Sequence, residues 1–350
     1  MNFKKRILIA PLNWGLGHAS RCIPLITALI KSGFQPVIAS DGPALELLKK
    51  EFSSLPFETL PSYNITYPEN GKKFRSKILN QAFPLIKTIK KEQEAVKKLH
   101  DKHHFSGIIS DNRFGVYLNH VPSIYITHQI NVLSGSTTWL STKIHEKVIK
   151  KFDECWVPDF LNEPSLSGKL GHCTDYVIPT KHIGPLTRLT PKNRDKIYQY
   201  LLLLSGPEPQ RSLLETKLRA EFSKTEEKVL LVRGVVESQK KVQQIGNLTI
   251  HNYMDSAELE SAINSSELII SRSGYSTIMD LSRLGKNAFF IPTPGQFEQE
   301  YLAQRLKELK IADYRTQKEF KLEDLSLNSN YTGFKHDKPH EPIKDLFGLF

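Results

Sequence analysis

The sequence predicts an α/β protein built from two doubly wound domains that face each other across a cleft, and three observations carry that prediction. Short apolar runs alternate with helical patterns from end to end, the mark of parallel sheets covered by helices on both faces. At 350 residues the chain is too long for one ordinary core, since a domain takes about 100–200 residues. A polar stretch over 181–198 divides the alternation in two. It holds Lys181-His182-Ile183-Gly184-Pro185 and Thr190-Pro191-Lys192-Asn193-Arg194-Asp195, a composition that suits a hinge. The expected division is 1–185 for a first domain, 186–199 for a linker, 200–325 for a second domain and 326–350 for a tail.

In the first half the apolar runs that read as strands are Ile7–Pro11, Val37–Ser40, Gly107–Asp111, Ile124–Thr127 and Glu154–Pro158. The second half repeats the rhythm with Leu201–Ser205, Val229–Arg233, Leu248–Tyr253, Leu268–Ser271 and Ala288–Pro292. From about residue 325 the chain turns polar, and Ile343–Phe350 forms a short apolar end able to dock back on the body. Ligands of open α/β sheets bind beyond the carboxyl ends of the strands, so the residues that follow each run are where function is sought.

Composition bounds the function classes. The chain is 39% hydrophobic and 24% charged, enough apolar material for two cores. No apolar run reaches the roughly 18 residues of a membrane span, and Met-Asn-Phe-Lys-Lys-Arg leads straight into a strand, so the expected location is the cytoplasm. Cys22, Cys155 and Cys173 lack metal-ligand spacing, and their odd number argues against a disulfide framework. The net charge of +11 is uneven: residues 72–104 hold ten Lys/Arg against Glu92, Glu94 and Asp101. Apolar residues recur there at helical spacing, giving a basic amphipathic stretch broken or kinked at Pro84. Two readings stay open for it. One is a packed helix with a solvated lysine face; the other is attraction to an anionic membrane surface or a lipid-linked acceptor, with the protein peripheral at the inner face of the membrane. Nucleic acid is not expected as a partner, because no stacking platform or binding motif accompanies the charge.

Two motifs carry chemistry. Around residues 271–301, a strand at Glu267–Ile270 meets Arg272-Ser273-Gly274 and then a helix with Ser276 and Thr277 in its first turn. Such a turn presents backbone N–H groups and the positive end of a helix dipole, which suits a diphosphate. After Ala288–Pro292, Gln296, Glu298, Gln299 and Glu300 crowd the start of another helix. The second motif, residues 10–21, is Ala-Pro-Leu-Asn-Trp-Gly-Leu-Gly-His-Ala-Ser-Arg, which follows a strand and opens a helix.

Both motifs, in this order and about 250 residues apart, resemble those of the MurG-like glycosyltransferases, family-28-like enzymes of the GT-B fold. The resemblance covers about residues 6–310, firmly at the motifs and by pattern between them. It implies an inverting, metal-independent hexosyltransferase moving a sugar of the N-acetylglucosamine kind from a UDP-sugar to an acceptor hydroxyl that the sequence does not identify. No cofactor is expected, and no metal: there is no Asp-x-Asp motif and no cluster with metal-ligand spacing. A UDP-sugar 2-epimerase of the same fold, or a non-catalytic nucleotide-sugar-binding subunit, is the alternative.

Each site residue has its own argument. His18, after two glycines at a helix mouth, is the candidate general base, an imidazole titrating near 6.5; helix capping or phosphate contact is its other reading. Asp111, ending a strand, is placed to orient that base, or else caps the following turn. His128, at another strand end, is an acceptor-side residue or a satisfied core histidine. Gly15 and Gly17 allow close approach of backbone to ligand, although a turn alone would also need them. By motif alignment Asp280 falls where the family binds the ribose hydroxyls, with Glu the usual residue there. Gln299 falls on a donor-sugar or ribose position of the family, Glu300 stands where a second Gln is common, and Met254 lies in Asn252–Asp255, which matches the family's uracil-reading segment or else is an ordinary strand-to-helix turn. Ser205-Gly206-Pro207-Glu208-Pro209 replaces a more glycine-rich turn, and its prolines remove N–H donors. Phosphate contact is therefore expected from Ser205, Arg272, Ser273, Gly274 and Ser276, with Arg233 a further candidate.

Overall fold

A computed structural model describes residues 4–63, 82–206, 208–235, 237–335 and 343–350. They form two units, the first holding the described residues up to Leu186 together with 343–350, the second running from Thr187 to 335.

In the first unit seven strands form one parallel sheet. They are β1 (Arg6–Pro11), β2 (Gln35–Ser40), β3 (Phe57–Thr59), β4 (Phe105–Asp111), β5 (Ser123–Ile126), β6 (Glu154–Val157) and β7 (Thr180–His182), in the order β3-β2-β1-β4-β5-β6-β7. The helices are α1 (Gly17–Lys31), α2 (Gly42–Glu51), α3 (Ala82–His103) and α4 (Thr138–Ile149). α1 buries Ala19, Cys22, Ile23, Leu25, Ile26 and Leu29, a stripe at spacings of three and four that lays the helix along the sheet. The apolar runs of β1 and β4 are buried on both faces, as central parallel strands must be. Pro11 lies opposite Asp111 in the β1–β4 register, so the loops after these strands leave side by side where the strand order reverses.

The second unit repeats the design. Its strands are β8 (Tyr198–Leu203), β9 (Val229–Val232), β10 (Val242–Ile245), β11 (Leu248–His251), β12 (Ser266–Ser271), β13 (Asn287–Phe290) and β14 (Asp313–Tyr314). The order is β10-β11-β9-β8-β12-β13-β14, parallel throughout except for the β10–β11 hairpin, which turns at Gly246 with a φ of +56°. Its helices are α5 (Gln210–Phe222), α6 (Ser256–Asn264), α7 (Tyr275–Leu284) and α8 (Phe297–Glu308). Here the order reverses between β8 and β12, and Ser271 lies opposite Leu203.

Four strands lie outside the sequence reading: β3, β7, β10 and β14. Each is a polar or very short edge or near-edge strand, and β10 is exposed at every residue, so none shows the buried apolar run that marks a central strand. The expected hinge is also more structured than its composition suggests. Thr180–His182 is an edge strand of the first sheet, while Thr190 donates to Glu260 through both its N–H and its hydroxyl at 2.6 Å. Pro84 lies near the start of the described part of α3, whose preceding residues are outside the described ones. Residues 72–81 of the basic stretch lie outside the described residues. Ile343–Leu349 is a 3₁₀ turn, and the chain end docks as expected: Phe347 and Phe350 pack edge-on against Phe34. Phe350 also lies over Gly107, where any Cβ would collide with its ring. The three cysteines are free, with Cys22 and Cys155 buried.

Candidate functional site

At the switch point of the first unit the loop after β1 gives way to α1. Gly15 takes a left-handed φ of +73° with open space on its Cβ side, so the turn itself is what requires glycine there. α1 then begins at Gly17 with no side-chain cap and no acidic residue in its first turn. His18 is the second residue of that helix, 12% exposed at its side chain, and Asp111 is fully buried at the end of β4. His18 Nδ1 lies 3.0 Å from Asp111 Oδ1, so the structure brings these two predicted residues together.

It also places a third group that sequence reading passed over. Arg21, one turn along α1 from His18, is buried and donates to both oxygens of Asp111, from Nε at 2.7 Å and from Nη2. The same guanidinium reaches His18 Nδ1 at 2.9 Å and His128 Nδ1 at 3.1 Å. The signal was present in Gly17-His18-Ala19-Ser20-Arg21, because residues three apart share a helix face. Burial would push the Asp111 carboxyl up, but Arg21 and His18 beside it hold it well below the usual carboxylate range. Burial, and then the Arg21 cation, hold His18 below its ordinary 6.5 against the pull of Asp111. His18 is therefore neutral at pH 7, the state a proton acceptor needs. Cys22 points its thiol at Asp111 Oδ2, 3.4 Å away, and burial keeps that thiol protonated.

A second buried network supports the floor of this site. Arg113 donates from Nε to Glu92 at 2.6 Å, from Nη1 to Asp41 at 2.8 Å and from Nη2 to the Pro61 carbonyl at 2.6 Å. Tyr63 and the Gly115 N–H complete Glu92. Asn13, in the loop before α1, donates to Asp41 at 3.0 Å, which ties that loop to α2. Removing one member of such a buried ion pair typically costs about 3–5 kcal/mol, because a charge is left without its partner.

In the second unit β12 ends at Ser271 and α7 starts at Tyr275, with Gly274 as N-cap and no side chain capping the helix. A Cβ at Gly274 would meet nothing within 4 Å, so this helix start faces open space. Ser276 and Thr277 are half-buried in its first turn. Ser205 is exposed after β8, and Gly206 takes a φ of +99°. Pro207 lies outside the described residues.

The arginine expectations need correction. Arg272 is buried, and its guanidinium donates to the carbonyls of Ile291, Pro292 and Gln210 at 2.9–3.0 Å and to Gln317 Oε1 at 2.7 Å. It fastens the ends of β12 and β13 to the start of α5 instead of facing phosphate. Arg233 pairs with Glu215 at 2.9 Å, again within the unit. Ser273 is buried and donates to the Gln299 carbonyl at 2.8 Å, so its hydroxyl ties the loop after β12 to the first turn of α8. Gln299 Oε1 accepts from Thr293 N at 2.8 Å and Glu300 Oε1 from Gly295 N at 2.9 Å; both side-chain oxygens shape the turn before α8. Met254 is half-buried between β11 and α6, just before Asp255, which forms a capping box with Glu258.

Asp280 lies on α7 and accepts from the Thr187 hydroxyl. Burial raises its carboxyl to about 6, opposed by Arg188 and by that hydroxyl. Arg188 is a second residue that sequence reading passed over. Its Nε is buried and meets no hydrogen-bond partner among the described residues, an arrangement that a ligand oxygen would complete. Among the described residues no three His, Cys, Asp or Glu side chains come together as a metal site would need.

Residues 201–339, most of the second unit, match the Glycosyltransferase family 28 C-terminal domain. Over 127 residues the chain is 28% identical to the UDP-N-acetylglucosamine--N-acetylmuramyl-(pentapeptide) pyrophosphoryl-undecaprenol N-acetylglucosamine transferase of Sulfurihydrogenibium sp. (strain YO3AOP1). That match spans 36% of this chain and 35% of that protein, about a third of each. Among solved structures, the glycotransferase of kitacinnamycin superposes with a TM-score of 0.63 at 13% identity, covering 99% of this chain and 94% of its own. The MurG of Acinetobacter baumannii superposes with a TM-score of 0.54 at 14% identity, over 98% of this chain and 93% of that one. SnogD from Streptomyces nogalater gives 0.61 at 11% identity over 99% and 95%. Two parallel, doubly wound sheets with these neighbours over nearly the whole chain define the GT-B fold of glycosyltransferases. Within that fold the second unit is similar in sequence to the family 28 C-terminal domain, and about a third of the chain is similar to the Sulfurihydrogenibium transferase, with a MurG among its neighbours in fold.

Proposed function

We propose that this chain is an inverting, metal-independent glycosyltransferase that moves a sugar of the N-acetylglucosamine kind from UDP to an acceptor hydroxyl. The observation that carries this is the uncapped start of α7 at Gly274, opening on space inside the region that matches the family 28 domain. Its backbone dipole, with Ser276 and Arg188, receives the diphosphate and stabilises departing UDP without a divalent ion. Asp280 takes the ribose, and the segment at Met254 takes the uracil. His18 removes the acceptor proton through Nε2, in the tautomer whose Nδ1–H donates to the Asp111 carboxylate. The acceptor hydroxyl then attacks the anomeric carbon in line, the C–O bond to UDP breaks, and the configuration inverts.

The acceptor we propose is lipid-linked, with the protein peripheral at an anionic inner membrane face. Two features of the first unit support this. Lys87, Lys90, Lys91, Lys97, Lys98 and Lys102 of α3 are all exposed. α4 buries only His145 and Ile149 while Trp139 stands 73% exposed beside Leu140 and Ile144, a large apolar surface among lysines. No helix among the described residues is long and apolar enough to cross a membrane.

Calorimetric titration with UDP, ADP, GDP and TDP tests the donor, and UDP is expected to bind at least tenfold better than the others. Equal affinity for all four overturns the assignment. Release of UDP from a UDP-sugar at an unchanged rate with and without lipid acceptor, with epimerised sugar as product, would turn it into an epimerase.

A further inference from the structure

We propose that Arg21 is a positioning residue of the first-unit site: by holding both oxygens of Asp111 it lets that carboxylate orient the His18 ring without charging it. This inference rests on the reading of His18 as the base. A histidine beside an unpaired buried carboxylate is drawn toward the imidazolium, since an opposite charge within about 4–6 Å shifts a pKa by about 1–3 units. An imidazolium has no lone pair with which to accept a proton. The chain needs the orientation that Asp111 supplies, yet its negative charge works against the base.

The geometry resolves this conflict. Arg21 meets Asp111 from Nε at 2.7 Å and again from Nη2, a two-point contact that a guanidinium makes and an ammonium does not. The pair is neutral as a unit. Its Nη2 also stands 2.9 Å from His18 Nδ1, so a proton added to the ring meets a fixed cation. Among the described residues the groups that bear on His18 are Arg21 from α1, Asp111 from the end of β4 and His128 from beyond β5, and Arg21 contacts the ring and both of the others. The thiol of Cys22 is neutral, and Arg21 is the group's cation at every ordinary pH.

The test reads the proton on the ring, not the reaction. Protein labelled with ¹⁵N-histidine is titrated from pH 5 to 9 by long-range ¹H–¹⁵N NMR, the His18 signals being assigned by their loss in His18→Asn. In the wild type His18 should titrate below 6.5. Arg21→Gln should raise that midpoint by about 1–3 pH units, and adding Asp111→Asn should remove the rise. Asp111→Asn alone should move it the other way, below wild type. Arg21→Lys, which keeps the charge but loses the two-point contact, should fall between wild type and Arg21→Gln. If Arg21→Gln fails to fold, the opposite shift in Asp111→Asn and the intermediate in Arg21→Lys carry the test. A midpoint that ignores Arg21, or that moves the same way in the Arg21 and Asp111 variants, overturns the proposal. A protein that shows these shifts but transfers no sugar would refute the transferase reading and leave this one standing.

Discussion

Each unit is a doubly wound sheet with one switch point, yet the chemistry at the two switch points is opposite in kind. In the first unit, polar side chains from α1, β4 and the segment after β5 close on one another, with Arg21 bridging Asp111, His18 and His128. In the second, the switch-point helix opens on empty space, while the buried cation nearest it, Arg272, is tied to backbone carbonyls. A closed network sets protonation states; an open helix start receives an anion. The same kind of doubly wound sheet thus supplies a proton-transfer centre in one unit and a binding cradle in the other, and the difference lies in the few residues after two strands.

That division of labour can be broken most directly at His18. His18→Ala should slow transfer by about 10²–10⁴, the usual contribution of a general base, and leave UDP affinity within about twofold. Loss of UDP binding in titration calorimetry would make His18 a phosphate ligand and point to His128 as the next base to test.

Acid should separate the units next. Burial holds His145, which accepts from the Tyr125 hydroxyl or donates to it at 2.9 Å, down to about 4. Its folded value lies below the unfolded one, so its contribution is present above pH 6.5 and lost as pH falls toward 4, about 3 kcal/mol in all. Asp280 has the opposite sign: its value is raised to about 6, so its contribution is present below pH 4 and lost as pH rises through 6. Hydrogen exchange at matched intrinsic rates should show the first unit loosening at pH 4.5 and the second not; uniform loosening would contradict the contrast. His145→Asn should flatten the acid response of the first unit.

A smaller effect sharpens the account of the cradle. Asp280→Ala should weaken UDP by about tenfold or more, the worth of a charge-assisted hydrogen bond at 1.5–3 kcal/mol. UDP affinity of the wild type should also decline as pH drops through about 6, where Asp280 takes up a proton, and Asp280→Asn should abolish that decline. An unchanged pH dependence in Asp280→Asn would remove Asp280 from the site. Arg272→Met is the contrasting control, expected to lower the stability of the second unit before it changes UDP affinity in the protein that remains folded.

The weakest expected effect lies on the outer face of the first unit. Each basic residue near an anionic bilayer contributes about 1 kcal/mol, so changing Lys87, Lys90, Lys91 and Lys97 to Glu should abolish co-sedimentation with anionic vesicles. Neutral vesicles should bind neither protein, and salt near 1 M should release the wild type as screening shortens to about 3 Å. Binding that ignores lipid charge would leave the lysines as a solvated face and the acceptor as a soluble molecule.

The central strands were legible in the sequence because a parallel strand buried on both faces must be apolar along its length, as Ile7–Ala10 and Leu268–Ile270 are. The strand-to-helix turns at Gly15–His18 and Arg272–Gly274 were legible for a similar reason: glycine marks a turn, and a turn after such a strand falls at the ligand edge. The edge strands β7 and β10 were not, since one neighbour and a wet face impose no apolar pattern. Nor could the fate of the arginines be read locally. Arg21 and Arg272 each lie close to a motif, but a guanidinium donates in several directions, and its partners reach as far as His128, 107 residues from Arg21, and Gln210, 62 residues from Arg272. Sequence by itself therefore determined which segments are the central strands and that a histidine follows one of them. Only the tertiary structure decided which cation neutralises Asp111 and which one fastens the second sheet, because that depends on which oxygens the folded chain brings within hydrogen-bonding distance.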